Sequence, residues 1–224
     1  MACRCMLGKI SRCFMTTYSF FNRFFPATLL SYLVTPVAWA DVELWGGKPS
    51  LGLEYEHQKM AFGAGHSNAL TLVPGLNFKD GFIHKVDVLI EAERENEIED
   101  GVNVKTHVKK LALRLKKNFE LNDSWALFVR GLVGREWNTL ENFNYSYVDT
   151  GIHYEYGAFG LMAGLRFQRT LDGTAGHDRN KFRFGPSYEI DAHHEIELRF
   201  VRSWNVQTRK RDSDALIAEY TYKF

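Results

Sequence analysis

Cysteine is confined to the first residues of this 224-residue chain, at Cys3, Cys5 and Cys13. If that region is removed on export, the rest of the chain has no thiol, which excludes disulfides, cysteine metal sites and thiol catalysis. After residue 40 the sequence also lacks any run of 18 apolar residues, which excludes a transmembrane helix there. An exported chain without such a helix is either a soluble periplasmic protein or a barrel in the outer membrane.

No excess of charge of either sign is present, because 28 basic and 27 acidic residues give a formal net charge of +1. The sequence therefore has no electrostatic footprint for nucleic acid, and we expect no such partner. The first 40 residues contain four basic residues and no acidic one. Without these four, 24 basic residues stand against 27 acidic ones, so the remainder has a net charge of −3.

An uncharged stretch, FFPATLLSYLVTPVAWA, follows Arg23 and ends with Ala38 and Ala40 on either side of a tryptophan. A basic start, an apolar centre and a small-residue exit predict a secretory signal peptide over residues 1–40, cleaved after Ala40. A retained anchor is less favoured, since about 17 uncharged residues with two prolines are short for a spanning helix. Met15 is an alternative start to Met1.

Residues 41–224 contain ten segments in which apolar and polar side chains alternate, and no stretch with a convincing period of 3.6. Alternation of this kind predicts an all-β, antiparallel, up-and-down transmembrane barrel of about ten strands, with twelve as the alternative. Residues 41–48 are predicted to be a lead-in rather than a strand. The predicted segments are 49–58, 67–78, 82–95, 105–120, 125–137, 144–156, 159–169, 180–190, 194–206 and 213–224.

The last segment shows the pattern clearly, because Leu216, Tyr220 and Phe224 share one face while Glu219 and Lys223 share the other. An amphipathic strand that becomes aromatic toward a final phenylalanine resembles the C-terminal closing strand of outer-membrane barrels. Both chain termini would then lie at the same rim.

Two further patterns favour a transmembrane barrel. Short turns, such as residues 79–81 and 157–158, alternate with longer polar connections, such as residues 96–104 and 170–179. Aromatic residues concentrate near both ends of the segments, as expected for two girdles at the membrane interfaces. The girdle at the short turns is predicted to contain Phe78, Phe82, Phe119, Trp125, Tyr154, Phe159, Tyr188, Tyr222 and Phe224. The girdle at the longer loops is predicted to contain Trp137, Phe143, Tyr145 and Trp204.

If the apolar faces contact outer-membrane lipid, the charged faces line a lumen. Ten strands spaced about 4.8 Å apart and tilted about 45° give a backbone radius of roughly 11 Å, which leaves a narrow passage. Two interpretations remain open: a salt-bridged plug, or a channel in which facing basic tracks conduct an anion. Inward glycines at positions 134, 160, 164 and 185 favour an open bore. The predicted pore-lining residues are Lys110, Arg114, Lys116 and Arg130 on one wall, and Arg166, Lys181, Arg183 and Arg199 on the other.

Three short motifs resemble a known family. The stretch SLGLEYEH at residues 50–57, LNDSWAL at residues 121–127 and AEYTYKF at residues 218–224 are similar to oligogalacturonate-specific porins of the KdgM type. The resemblance implies a small monomeric outer-membrane channel for acidic oligosaccharides, with arginine and lysine tracks along its lumen. That family has twelve strands, and the lumen predicted here is richer in acidic residues.

No complete catalytic constellation is present in the sequence, so we expect neither an enzyme nor a cofactor nor a metal site. The expected function is a narrow porin for small anionic solutes such as sugar acids or acidic oligosaccharides. The alternatives are a non-conducting structural or adhesive barrel with a salt-bridged lumen and, less favoured, a lipid-modifying or proteolytic barrel enzyme. An adhesive barrel would use its exposed loops, residues 96–104 and 207–212.

Overall fold

The computed structural model describes residues 43–61, 65–79, 81–99, 102–139, 141–174 and 176–224. The predicted signal peptide, with its three cysteines, lies outside these residues and stays a prediction. The described chain forms ten strands in one closed antiparallel barrel. The strands are β1 Lys48–Met60, β2 Gly65–Asn77, β3 Lys85–Glu99, β4 Val102–Glu120, β5 Trp125–Trp137, β6 Asn142–Tyr156, β7 Phe159–Thr170, β8 Arg179–Glu189, β9 His194–Asn205 and β10 Arg211–Lys223.

Every strand pairs with its neighbours in chain order, and β10 closes the ring by pairing with β1. The closing register places Leu53 opposite Tyr220 and Glu54 opposite Glu219, so the alternation continues across the seam. No helix in the described residues is long and apolar enough to span a bilayer. Because the barrel is closed, the backbone N–H and C=O groups of each strand form hydrogen bonds with neighbouring strands. A β-structure inside a membrane requires this, since lipid offers no hydrogen bonds. The predicted ten-stranded up-and-down barrel is confirmed, and the twelve-stranded alternative is wrong.

The strands run further than predicted at one rim of the barrel. We call the rim with the β1–β2, β3–β4, β5–β6, β7–β8 and β9–β10 connections the loop-side rim, and the opposite one the turn-side rim. β3 extends to Glu99 and β4 begins at Val102, so the predicted loop 96–104 is mostly strand. At the turn-side rim, residues 78–84 make a longer connection than predicted. The predicted contrast between short turns and long loops is therefore wrong, because polar residues continue the strands beyond the apolar region.

Large apolar side chains cover the outside of the barrel. Val133, Val148, Leu165 and Leu216 are each about half exposed, and they share their faces with other exposed leucines and phenylalanines. A continuous apolar surface of this extent is unusual for a protein in water but normal for one in lipid. In the central part of the strands the apolar side chains thus point outward and the charged ones inward, which confirms the predicted contact with lipid and the predicted location in the outer membrane.

The aromatic girdle is confirmed at the turn-side rim but only in part at the loop-side rim. Trp125, Phe159 and Tyr188 are exposed on the outer face near the turns. At the loop-side rim Trp137 points outward, whereas Phe143 and Tyr145 are only 2% and 7% exposed. Their assignment to the outer girdle is wrong, because they alternate in phase with the inward side chains of β6.

The inward glycines do not widen the bore. A Cβ built on Gly134 would lie 3.0 Å from the Tyr145 ring, and one on Gly164 would lie 3.0 Å from the Phe128 ring. Tyr145 is the cross-strand partner of Gly134, so an aromatic ring covers the space that the glycine leaves. The argument that these glycines favour an open bore is therefore wrong.

Gly185 provides a test of how closely the strands pack. A Cβ on Gly185 would lie 1.8 Å from the backbone oxygen of Leu198, whereas a Cβ on Gly131 would meet nothing within 4 Å. We expect Gly185→Ala to lower the free energy of unfolding by about 1–3 kcal/mol, since the strand must shift. Gly131→Ala, the matched control, is expected to change it by less than about 0.5 kcal/mol. Urea unfolding in lipid vesicles measures both, and equal effects would contradict this packing.

Candidate functional site: the barrel interior

The eight predicted pore-lining cations all lie at inward positions of β4, β5, β7, β8 and β9. Arg114, Arg183 and Arg199 are buried, and the other five are partly exposed. Their inward direction follows from the alternation of side chains along each strand. Six of them have a carboxylate oxygen within ion-pair distance, whereas Lys116 and Lys181 have none within 4.0 Å among the described residues.

Three arginines from three strands surround one carboxylate, that of Asp149 on β6. Arg130 Nε lies 3.2 Å and Arg166 Nη2 lies 3.3 Å from Asp149 Oδ2, and Arg183 Nη1 donates to the same oxygen. Asp149 is 0% exposed and Arg183 is 1% exposed. We call these four residues the Asp149 cluster. It unites Arg130 of the first predicted wall with Arg166 and Arg183 of the second, so the two walls do not lie apart at this height.

Inward aromatic rings hold two of these guanidinium groups. The Arg166 guanidinium carbon lies 3.8 Å from the centroid of the Tyr147 ring, and that of Arg130 lies 4.7 Å from the centroid of Phe128. Stacking of this kind attracts a cation to the ring face without neutralising its charge. The cluster therefore keeps a formal excess of two positive charges over the single carboxylate.

A second set of ion pairs extends across β3, β4, β9, β10 and β1. Arg114 Nε and Nη2 both lie 2.8 Å from Asp87 Oδ2, and Asp87 is 1% exposed. On the opposite side, Arg199 donates to Glu54 at 2.5 Å and to Glu219. Arg199 is 2% exposed. The height of the lumen at which these arginines and the Asp149 cluster meet is therefore almost closed to solvent.

Lys110 occupies an acidic environment nearer the loop-side rim. Its Nζ atom lies 2.7 Å from Glu91 Oε1, 2.8 Å from Glu93 Oε2 and 3.8 Å from Glu136 Oε2. Here one cation pairs with three carboxylates, whereas in the Asp149 cluster three cations pair with one carboxylate. The lumen is therefore acidic around Lys110 and basic around Asp149.

Two neighbouring spaces lie in the loop-side half of the barrel. A cavity of about 110 Å³ is lined by Glu56, Lys181, Arg183 and other charged residues. A wider space of about 390 Å³, which we call the vestibule, is lined by residues nearer the rim such as Glu95 and Arg179. Lys110 and Lys181 line both spaces, so a solute entering from the loop-side rim would meet the vestibule first and the cavity next.

The connection between β7 and β8 forms part of the vestibule wall. His177 pairs with Glu141 of the β5–β6 connection, and its ring lies 4.4 Å from that of Phe143. Nearby, the backbone N–H of Asn144 donates to Asp172 Oδ2 at 2.7 Å and lowers the pKa of that carboxyl. Contacts between neighbouring connections thus hold the described part of this segment against the barrel.

No group of three or more His, Cys, Asp or Glu side chains suited to a metal ion occurs among the described residues. The histidine pair His193 and His194 lies at the turn-side rim, where His194 Nδ1 is 2.6 Å from the Tyr220 hydroxyl. That the protein is not an enzyme stays a prediction.

The sequence analysis missed how acids and bases combine across strands. It did not identify Asp149 as the common partner of three arginines. It also missed the inward aromatics Phe128 and Tyr147. A usable signal was present for Phe128, because it lies two residues before Arg130 in the alternating segment and therefore on the same inward face.

No protein-family model matches the chain, and no curated protein is significantly similar to it. Among solved structures, the chain is similar to the COG4313 outer-membrane channel from Pseudomonas putida F1, with 11% identity and a TM-score of 0.52 over 85% of this chain and 100% of that one. It also matches the β domain of the Bordetella autotransporter BrkA, with 12% identity, a TM-score of 0.48 and 80% and 100% coverage. A KdgM porin in complex with disordered oligogalacturonate matches with 11% identity, a TM-score of 0.42 and 77% and 99% coverage. At these identities the similarity is one of fold, that of bacterial outer-membrane barrels.

Because Asp149 is buried, we expect its substitution to destabilise the protein more than substitution of a partly exposed aspartate does. Asp149→Asn leaves three inward arginines without a counter-charge, so we expect it to lower the free energy of unfolding by about 3–5 kcal/mol. Asp214→Asn is the matched control, because Asp214 forms an outward pair with Arg202, at 2.8 Å, in a partly exposed position. We expect the control to cause little change. Urea unfolding followed by tryptophan fluorescence measures both, and a similar loss in the two variants would contradict the role given to Asp149.

Proposed function

We propose that the protein is a monomeric, narrow outer-membrane channel that admits small anionic solutes from the loop-side rim and passes them through the arginine-rich centre of its lumen. The observation that carries this proposal is the Asp149 cluster, in which three guanidinium groups share one carboxylate. Within this cluster three cations share one carboxylate, and this local excess of positive charge favours an anion at that point.

Unused donors support the same conclusion. Within the described residues, Nε and Nη2 of Arg183 and Nε of Arg166 are buried and have no hydrogen-bond partner. Buried guanidinium N–H groups without an acceptor are costly, and an incoming carboxylate, phosphate or sulfonate would supply one. A permeating anion would thus exchange contacts with these arginines.

The size of the cavity limits the solute. At about 110 Å³ it is smaller than the roughly 150 Å³ cavity that accommodates benzene in an engineered protein. A small organic anion fits the cavity as it stands, and a single sugar acid needs a modest shift of its side chains. An acidic oligosaccharide requires a larger rearrangement, so we place monomeric solutes first.

A non-conducting structural barrel is the second candidate, and a specific observation favours it. Asp87, Asp149, Arg183 and Arg199 are at most 2% exposed, so the lumen is closed to water at that height in this conformation. A channel must therefore open by moving these side chains, whereas a structural barrel need not move them at all.

Planar-bilayer recording separates the two candidates. Protein purified from outer membranes is expected to show discrete conductance with a preference for chloride over potassium. Arg114→Glu combined with Arg183→Glu is expected to abolish or reverse that preference, because two central cations become anions. The single substitution Arg183→Gln, which removes the charge with less strain, is expected to reduce the preference.

Lys105→Glu is the control variant, since Lys105 is exposed on the outer face. Reversal potentials in a salt gradient report the ion preference, and a heat-dependent shift in electrophoretic mobility verifies that each variant is folded. Silent bilayers from folded protein would support the structural barrel instead. A changed lipid acylation pattern in membranes that contain the protein would support the lipid-modifying enzyme.

A further inference from the structure

Two opposite charges without close partners line the 110 Å³ cavity. Glu56 projects inward from β1 and Lys181 projects inward from β8, and both belong to the cavity lining. Among the described residues, neither has an oppositely charged group within 4.0 Å or a side-chain hydrogen bond. A gap therefore separates a free carboxylate from a free ammonium group inside a small polar cavity.

Each of these charges is accompanied by others of its own sign. On the side of Lys181, Arg183 lies two residues along the same inward face, is 1% exposed, and has Nε and Nη2 without hydrogen-bond partners. On the side of Glu56, the same cavity is lined by Glu91 and Glu93 of β3, which share the single cation Lys110. The cavity thus has an acidic wall formed by β1 and β3 and a basic wall formed by β8.

A solute that carries charge of only one sign can pair with only one of these two walls. A simple anion can bind Lys181 and Arg183, but it leaves Glu56 without a counter-charge and is repelled by the acidic wall. A simple cation has the converse difficulty. A molecule with an ammonium group at one end and an acidic group at the other satisfies both walls and interrupts no existing ion pair.

We propose that the cavity is a binding site for small zwitterions, with their ammonium group at Glu56 and their anionic group at Lys181 and Arg183. This inference rests on the proposed channel function for its physiological meaning and specifies that the anionic group of the solute is accompanied by an ammonium group. The acidic vestibule adds to the selection, because a permeating molecule passes Glu93 and Glu95 before it reaches the arginines.

Taurine, isethionate and ethanolamine test the proposal as probes built on the same two-carbon chain. Taurine has an ammonium and a sulfonate group, isethionate replaces the ammonium group by a hydroxyl, and ethanolamine lacks the sulfonate. Isothermal titration calorimetry on the protein purified in detergent micelles is expected to show taurine binding at least about tenfold more tightly than either other probe. That factor corresponds to one charge-assisted hydrogen bond.

Two substitutions test which residue binds each end of the ligand. Glu56→Gln is expected to reduce taurine affinity to that of isethionate, while Lys181→Met is expected to weaken the binding of both sulfonates. Glu195→Gln is the control, since Glu195 pairs with Lys223 at 3.0 Å and does not line the cavity. Electrophoretic mobility before and after heating verifies that each variant is folded.

The outcomes separate this proposal from the channel itself. Equal binding of taurine and isethionate, no binding of either, or a taurine preference that survives Glu56→Gln would overturn the zwitterion site. If bilayers show anion-selective current under those results, the channel stands alone. If bilayers are silent but taurine binds selectively and depends on Glu56, the site stands and the transport function fails.

Discussion

Closure of ten strands in a membrane determines most of what is found inside this barrel. Lipid offers no hydrogen bonds, so every strand must pair on both sides, and β10 must return to β1. A ring of this size has a backbone radius of only roughly 11 Å, and long side chains from facing strands reach the centre. Charged residues placed there are largely cut off from water, and most of them pair with a residue of opposite charge. The ion pairs of the lumen are therefore a consequence of strand number.

The architecture could be predicted from single strands, whereas the interior could not. Within one strand, the alternation of Phe159, Leu161 and Leu165 with small or charged residues is enough to distinguish a lipid face from a lumen face. Ten such segments predict the barrel. The partners of Asp149 depend instead on register, which sets Arg130 on one side of it and Arg166 on the other. Register arises from pairing between strands and is not encoded in the period of any one of them.

Errors at the rims have a related cause. Near the loop-side rim, polar residues predict loops, but β3 continues to Glu99 because a strand outside the membrane no longer needs an apolar face. The aromatic character of Phe143 and Tyr145 predicts the lipid face, although their phase in β6 directs them inward. Tyr145 opposite Gly134 shows what an inward ring does in a narrow barrel: it fills the volume that a neighbouring glycine leaves. In both cases the inward–outward alternation along the strand predicts the structure better than the type of residue does.

A closed lumen and a conducting one differ less in energy than the number of ion pairs implies. A buried ion pair contributes little net stability, because the attraction between its charges is offset by the cost of removing both from water. Removing a single partner is costly when it leaves a lone charge. Around Asp149, however, one arginine can turn toward an entering anion while two others remain on the carboxylate. Neither the carboxylate nor the departing arginine is then left uncompensated. An excess of arginines over carboxylates thus allows an anion to replace a contact at low cost, which a matched set of single pairs would not.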